Sequence, residues 1–516
     1  MAISDFLNAW STSAIAALLA LLWWVAVRKH ANRRYLPGPK PRPIIGNVPD
    51  LPKPGHEWLG YADLSRKYGS DILYFTAFGA PLVVINSFEP AHELLDKRGA
   101  LYSDRPRLVM IKELMGWSWN LVVMSYGKLF TAHRRIVQQE FQQSVVAKSH
   151  RPVMNREVIA LLDRLLTTPG ELVQHLRLMS AAIIMMVTYG HQVESSADEY
   201  VEIAEAVRDN AEDRPGVEPV DVLPILKYLP AWFPGGGFQR LAAISRALSV
   251  RMLNIPFDNV KKRMAEGTAV ESMATRLLNQ DDLVVEGIER EAFIKNCCGV
   301  VYSAGADTIV AALRNFTLAM LLYPDVQKRA HEELDRVLGR DRLPTVEDRA
   351  RLPYVSYIAK EALRWKAVSA LGVPHFTIDK DEYRGGYVPK GTTVIANLHA
   401  MLHDPSVYSR PDEFFPERYA PTPEDPEGEP DPNRAAFGFG RRICPGRFFA
   451  EDSLFVAIAG MLHVFALSIP EDADRAAVEV RNIKWTSGLV SHPSDFPFKL
   501  TPRFESAPAL VRSMRV

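Results

Sequence analysis

Two short stretches carry residue types that can do chemistry. The first is Phe437-Gly438-Phe439-Gly440-Arg441-Arg442-Ile443-Cys444-Pro445-Gly446. Cys444 is one of three cysteines in 516 residues and stands where a glycine-rich loop runs into a helical pattern of Leu454, Ile458, Met461 and Phe465. A thiol at a helix N-terminus is favoured as the thiolate. Glycines 438, 440 and 446 allow turn conformations closed to other residues and leave no side chain in the way of a flat cofactor. Arg442, two residues before the thiol, is placed to neutralise a carboxylate on such a cofactor. A single thiolate presented in this way suits a haem iron whose other axial face is open. The second stretch is Ala304-Gly305-Ala306-Asp307-Thr308. It lies inside a long apolar helix expected over 288–322, and an acid beside a hydroxyl, next to a helix-weakening glycine, is an unusual thing to bury.

Bland readings exist for both. A lone Cys-Pro-Gly is more often a buried structural cysteine, and a mid-helix threonine often bonds back to its own backbone. Gly438-Phe439-Gly440 has no third glycine at the spacing of a dinucleotide fingerprint. The joint pattern Phe437, Gly440, Arg442, Cys444, Gly446 resembles, position for position, the haem-ligand signature of the cytochrome P-450 family. That resemblance implies haem b with Cys444 as the axial metal ligand, and a role for Asp307 and Thr308 in delivering protons for oxygen activation. Ile309 stands where a second hydroxyl is common.

Further positions follow from the same resemblance. Arg134 matches a haem-propionate contact, but Phe130 occupies the place of a tryptophan four residues earlier, with His133 as a candidate substitute donor. His375, in Val373-Pro374-His375-Phe376, and Arg442 match the other propionate contacts. Glu361 and Arg364 on one helix, with Arg418 in Pro416-Glu417-Arg418-Tyr419, match a buried ion network that locks the cysteine-loop region. His399 and His403 share a helical spacing, but no glutamate lies between them as in a zinc helix, and Asp404-Pro405 follows.

The elements that position these residues are legible in outline. Equal numbers of basic and acidic residues, 61 each, leave no net field for nucleic acid, and 47% hydrophobic composition allows a large core. Three cysteines, two of them adjacent at 297 and 298, build no disulfide framework and point to a reducing compartment. Residues 6–27 are mostly apolar and are followed by Arg28, Lys29, Arg33 and Arg34, which predicts an uncleaved anchor with residues 1–5 lumenal. Residues 28–45 form a basic, proline-dense hinge, Leu36-Pro37-Gly38-Pro39 and onward, that reads as a stiff spacer. The stretch 71–86 has the look of a β-hairpin around Gly79-Ala80-Pro81, and 145–285 is helical in pattern. Within the latter, Pro230, Trp232, Phe233 and Pro234 make an apolar tip that either meets a membrane or packs under a neighbouring helix.

Length alone suggests about three domains, but motifs from Arg134 to Gly446 must converge on one cofactor, so residues 46–516 are expected as one catalytic domain. The resemblance implies a mainly α fold with small β-sheets. It also implies a monooxygenase of fungal pattern in the endoplasmic reticulum membrane, cytosolic in its body and monomeric. Electrons would come from a membrane-bound NADPH-dependent reductase, with cytochrome b5 as a second candidate donor and Arg441 and Arg447 as candidate contacts. Leu371, Val373, Leu489 and Val490 fall in regions that line the pocket in relatives, which suggests a lipophilic substrate: a terpenoid, polyketide, indole or xenobiotic aromatic. Two rival classes are a reductase-independent haem-thiolate isomerase or dehydratase and a membrane-tethered haem sensor. The intact Asp307-Thr308 pair speaks against the first, and oxygen consumption would separate the second.

Overall fold

The computed structural model describes residues 33–211, 218–423, 425–486 and 488–515. The expected lumenal segment 1–5, the anchor 6–27, and Arg28 and Lys29 of the hinge lie outside the described residues.

The longer helices are α1 (Glu57–Tyr68), α2 (Lys128–Glu140), α3 (Arg151–Thr167), α4 (Leu172–Tyr189), α5 (Glu199–Ala211), α6 (Phe238–Ala265), α7 (Arg290–Gly305), α8 (Thr308–Leu322), α9 (Pro324–Leu338), α10 (Pro353–Trp365) and α11 (Arg447–Val464). Their ends follow local chemistry. Glu289 caps α7 by accepting from the N–H groups of Glu291 and Ala292, and Pro324 and Pro353 open α9 and α10, where a missing N–H costs nothing. The stretches Pro169–Tyr189 and Arg290–Leu322 are apolar and long enough to cross a bilayer, yet most of each is buried inside the body. They are core helices: α4 packs on α3, α7 and α8, and α11 packs on α3, α8, α9 and α10. Helix α11 therefore runs through the middle of the largest apolar cluster, with Leu454, Ile458 and Met461 all buried.

The sheets are small. β1 (Ile72–Ala77) and β2 (Ala80–Ile85) form the expected hairpin, paired from Ile72 with Ile85 to Ala77 with Ala80. β3 (His375–Phe376), β4 (Asp381–Tyr383), β5 (Gly386–Val388), β6 (Thr393–Ala396), β7 (Phe465–Ser468) and β8 (Lys499–Pro502) follow. One sheet has the order β1-β2-β6-β3, with β2 and β6 parallel, and two further ribbons pair β4 with β5 and β7 with β8. The architecture is thus mainly helical with small sheets.

The C-terminal part of the proline-dense hinge packs on β1: Leu36 is buried, the Tyr74 N–H donates to Pro37 O (2.8 Å), and Tyr35 stacks on Tyr74. One expectation needs correction. The 288–322 helix is two helices. Gly305 lies so close to α4 that a Cβ there would come within 2.5 Å of Ile184, and Ser180 Oγ donates to Gly305 O (2.8 Å). A side chain of α4 thus takes up a carbonyl of the helical ladder, and the chain breaks at Ala306-Asp307.

Candidate active site

Cys444 sits three residues ahead of α11, and its N–H donates to Phe437 O (2.9 Å), which closes the loop. Gly440 has φ +52°, and a Cβ there would fall 2.3 Å from Leu95 O, so this glycine is demanded twice. Gly446 is different. Its φ is −87°, and a Cβ there would meet only Cys444 Sγ, at 3.9 Å, so the position keeps the thiol face clear and does not serve a turn. Burial pushes the Cys444 thiol up, against the N–H of Gly446 and the charges of Arg134 and Arg447. Burial thus opposes the helix N-terminus at this thiol.

Beside this loop the structure gathers positive groups. Arg442 donates through Nε to Ser103 O (2.7 Å) and through its terminal nitrogens to Met124 O (2.8 Å) and Leu121 O (3.3 Å). Its guanidinium lies 3.7 Å from the centre of the Phe130 ring, so the phenyl that cannot donate a hydrogen bond supports the arginine by cation–π contact instead. His375 on β3 donates from Nδ1 to Tyr102 O (2.9 Å), and burial, with Arg105 and Arg442 nearby, pushes it down to about 3. Burial likewise pushes Arg134 and Arg442 down to about 10. His133 does not join this group. It is buried against Phe293 of α7, with Nδ1 donating to Leu129 O.

Arg105 is a member that spacing did not reveal. It is 6% exposed, and its guanidinium donates only to the main-chain carbonyls of Val122, Val373 and Pro374. Burial and Arg442 depress its pKa well below the usual value, with Asp104 opposing. The sequence around it, Asp104-Arg105-Pro106, has no periodic signal that would set it apart from a surface loop.

The acid and hydroxyl occupy the break between α7 and α8. Thr308 Oγ1 donates to Ala304 O (3.1 Å), the back-bonding that a structural reading expects, yet Asp307 is outside both helices at φ −121°. Ala304 is exposed, whereas Gly299 to Tyr302 before it are buried. Asp307 Oδ2 accepts a hydrogen bond from His492 Nε2 (2.8 Å), a partner 185 residues away.

Glu361, Arg364 and Arg418 come together in full. Glu361 accepts from Arg364 Nε and a terminal nitrogen (2.9 and 2.8 Å), Arg418 Nε (3.2 Å), Tyr419 OH (2.9 Å) and the Phe415 N–H (3.0 Å). Arg364 also ties down the carbonyls of Leu402, Pro411 and Glu413. The His399 and His403 rings stack 3.9 Å apart, and among the described residues no three His, Cys, Asp or Glu side chains group as a metal site.

Between α2 and the cysteine loop lies a depression of about 320 Å³, lined by Phe130, Arg134, Gln138, Arg441 and Arg447 among others. Arg441 is exposed and donates to Tyr126 OH (2.6 Å). Trp232 is 81% exposed and Phe233 46%, so the apolar tip is not packed under a neighbouring helix.

Comparison with known proteins agrees with this geometry. A family model described as cytochrome P450 matches residues 36–500. Cytochrome P450 monooxygenase 208 of Postia placenta is 38% identical over 98% of this chain and 97% of its own length. Cytochrome P450 monooxygenase claR of Ampulloclitocybe clavipes is 39% identical over 92% and 88%, and a monooxygenase of Armillaria gallica is 37% identical over 96% and 97%. Likeness of this depth and extent makes the chain an enzyme of the cytochrome P450 family, of the monooxygenase kind found in fungi.

Proposed function

We propose that the chain is a membrane-anchored haem-thiolate monooxygenase that oxidises a lipophilic small molecule. The donor set fits haem b: a half-buried thiol at the head of the core helix, with Arg105, Arg134, Arg442 and His375 gathered near it, suits a metal centre with carboxylates on one edge. Cys444 would hold the iron, and Arg134, Arg442 and His375, with Arg105, would hold the propionates. Bound there, the haem supplies the iron at which dioxygen is cleaved, one atom going to substrate and the other leaving as water.

The protein's own groups do the rest. Asp307 and Thr308 move protons at the helix break, Gly446 keeps the thiol face open, and the Glu361 network fixes the chain segments that lead into the cysteine loop. Leu371, Val373, Leu489 and Val490 favour an apolar substrate, with terpenoids, polyketides, indoles and xenobiotic aromatics as the classes to test. Electrons come from a partner. Arg441 and Arg447, which line the depression beside the cysteine loop, form a cationic face suited to an acidic surface of an NADPH-dependent flavoprotein reductase. The exposed Trp232 and Phe233 give the body a second point of contact with the bilayer that holds residues 6–27.

The half-buried Cys444 thiol at the head of α11 carries this reading. Its test is the spectrum of the reduced protein with carbon monoxide: a thiolate-ligated haem gives a Soret band shifted well to the red of one held by a neutral ligand. Cys444→Ser should lose that band and all NADPH-driven oxygen consumption; a variant that kept both would overturn the assignment.

A further inference from the structure

The carboxylate of Asp307 is held from outside its own helix. As the N-cap of α8 it is positioned to bond the first free N–H groups of that helix, yet it makes no such bond. Its Oδ2 goes to His492 instead (2.8 Å), with Asp307 23% exposed and His492 4% exposed.

His492 belongs to a loop stapled along one face of α8. Trp485 and Pro493 pair as a β-bridge at its base. Trp485 Nε1 donates to Asn315 Oδ1 (3.4 Å), and Arg314 donates to Asp495 Oδ1 (2.8 Å). Asp307, Arg314 and Asn315 are seven and eight residues apart, so all three attachments fall on the same side of α8. Between them Leu489 is left 54% exposed. Away from the loop, Asp307 lines a cavity of about 20 Å³ with Arg177 of α4 and Glu205 and Arg208 of α5. That is room for about one water. Burial raises the Asp307 carboxyl, but the hydrogen bond from His492 and the charges of His492, Arg208 and Arg177 outweigh it and hold the carboxyl below its usual value. Among the described residues, the charged groups facing the acid are His492 on the loop, Arg177 on α4, and Glu205 and Arg208 on α5.

We propose that His492 is the positioning residue of Asp307: it fixes the carboxylate between the loop 485–495 and the water cavity, and so makes the loop and the proton-handling acid move as one unit. The proposal rests on the monooxygenase reading for the use made of the proton, but the tether itself is a property of the resting protein. Without His492, Asp307 would turn to cap α8 or to pair with Arg177 or Arg208, and proton delivery would slow.

The experiment compares haem-loaded wild type with His492→Leu and His492→Gln, the second keeping a hydrogen-bond donor. Hydrogen exchange at rest should rise at least about tenfold in 304–309 and in 485–495 together for His492→Leu. With a fungal flavoprotein reductase and no substrate, the same variant should change the ratio of hydrogen peroxide formed to NADPH consumed and raise the solvent isotope effect, with His492→Gln restoring most of both. Exchange unchanged at 304–309, or exchange raised with peroxide ratio and isotope effect unmoved in both variants, would overturn the proposal. A normal carbon monoxide spectrum in every variant keeps this outcome separate from any failure of the haem-thiolate reading.

Discussion

Two carboxylates near the centre of this fold are treated in opposite ways. Glu361 is fully buried and accepts five hydrogen bonds, from two arginines, a tyrosine and a main-chain N–H. Asp307 has the single side-chain donor His492, keeps part of its surface open and borders a water-sized cavity. A carboxylate whose lone pairs are all occupied by fixed donors cannot take up a proton without breaking several bonds, so it serves as a rivet. One with spare capacity beside water can exchange protons at little structural cost. The number of donors around each thus separates an acid fixed in its ionised form from one free to exchange a proton.

The largest effect should come from breaking the rivet. Glu361→Ala leaves Arg364 and Arg418 buried with no counter-charge and should cost about 3–5 kcal/mol, read by denaturant unfolding, together with loss of bound haem. Asp307→Asn keeps shape and one acceptor, and should change stability by about 1 kcal/mol or less while lowering the rate of substrate oxidation by about 100-fold or more. Equal losses of stability in the two variants would erase the distinction.

A smaller effect tests whether burial alone sets proton affinity in this core. His150 is 2% exposed, is enclosed by Phe141 and Phe449 of α11, and among the described residues has no hydrogen-bond partner on either ring nitrogen. Burial, with Arg276 nearby, pushes it down to about 4. The unfolded histidine takes a proton below about pH 6.5 and the folded one does not until about pH 4, so stability present at neutral pH is lost as the pH falls through that window. His150→Phe removes this penalty. The stability gap between variant and wild type should widen by about 2 kcal/mol from pH 7 to pH 5, and a gap independent of pH would show that the site admits water.

What could be read from the sequence was whatever is encoded by short spacing. The loop from Phe437 to Gly446, the Asp307-Thr308 pair and the Glu361–Arg364 turn each announce themselves within ten residues, and the 71–86 hairpin within sixteen. What escaped depends on distant partners. The helix break at Gly305 needs Ser180 and Ile184 from another helix, His492 needs Asp307, and Arg105 is defined by the carbonyls of Val122, Val373 and Pro374. None of these pairs leaves a periodic trace, because the contact is made by the fold and not by the neighbourhood in the chain. The thiol shows the same limit in energetic form. Its place at a helix start predicts a thiolate, while the burial that opposes it becomes visible only in three dimensions.

The smallest effect concerns Phe130, the position where the family resemblance expected a tryptophan. The structure gives the phenyl a job, carrying the guanidinium of Arg442 at 3.7 Å from the ring centre while that arginine reaches three main-chain carbonyls. Phe130→Trp would strengthen the cation–π contact by about 0.5–1 kcal/mol, since indole is the better π donor, and would add an N–H that a carboxylate could accept. Phe130 is only 3% exposed, so the larger ring must use the depression beside Arg134 and Gln138. If the depression admits it, haem should dissociate about two- to fivefold more slowly to an apo-globin acceptor, with thermal stability unchanged or slightly raised. Faster haem loss with lower stability would mean that the phenyl is a packing requirement here, and that the arginine it supports, more than any donor on α2, secures that edge of the cofactor.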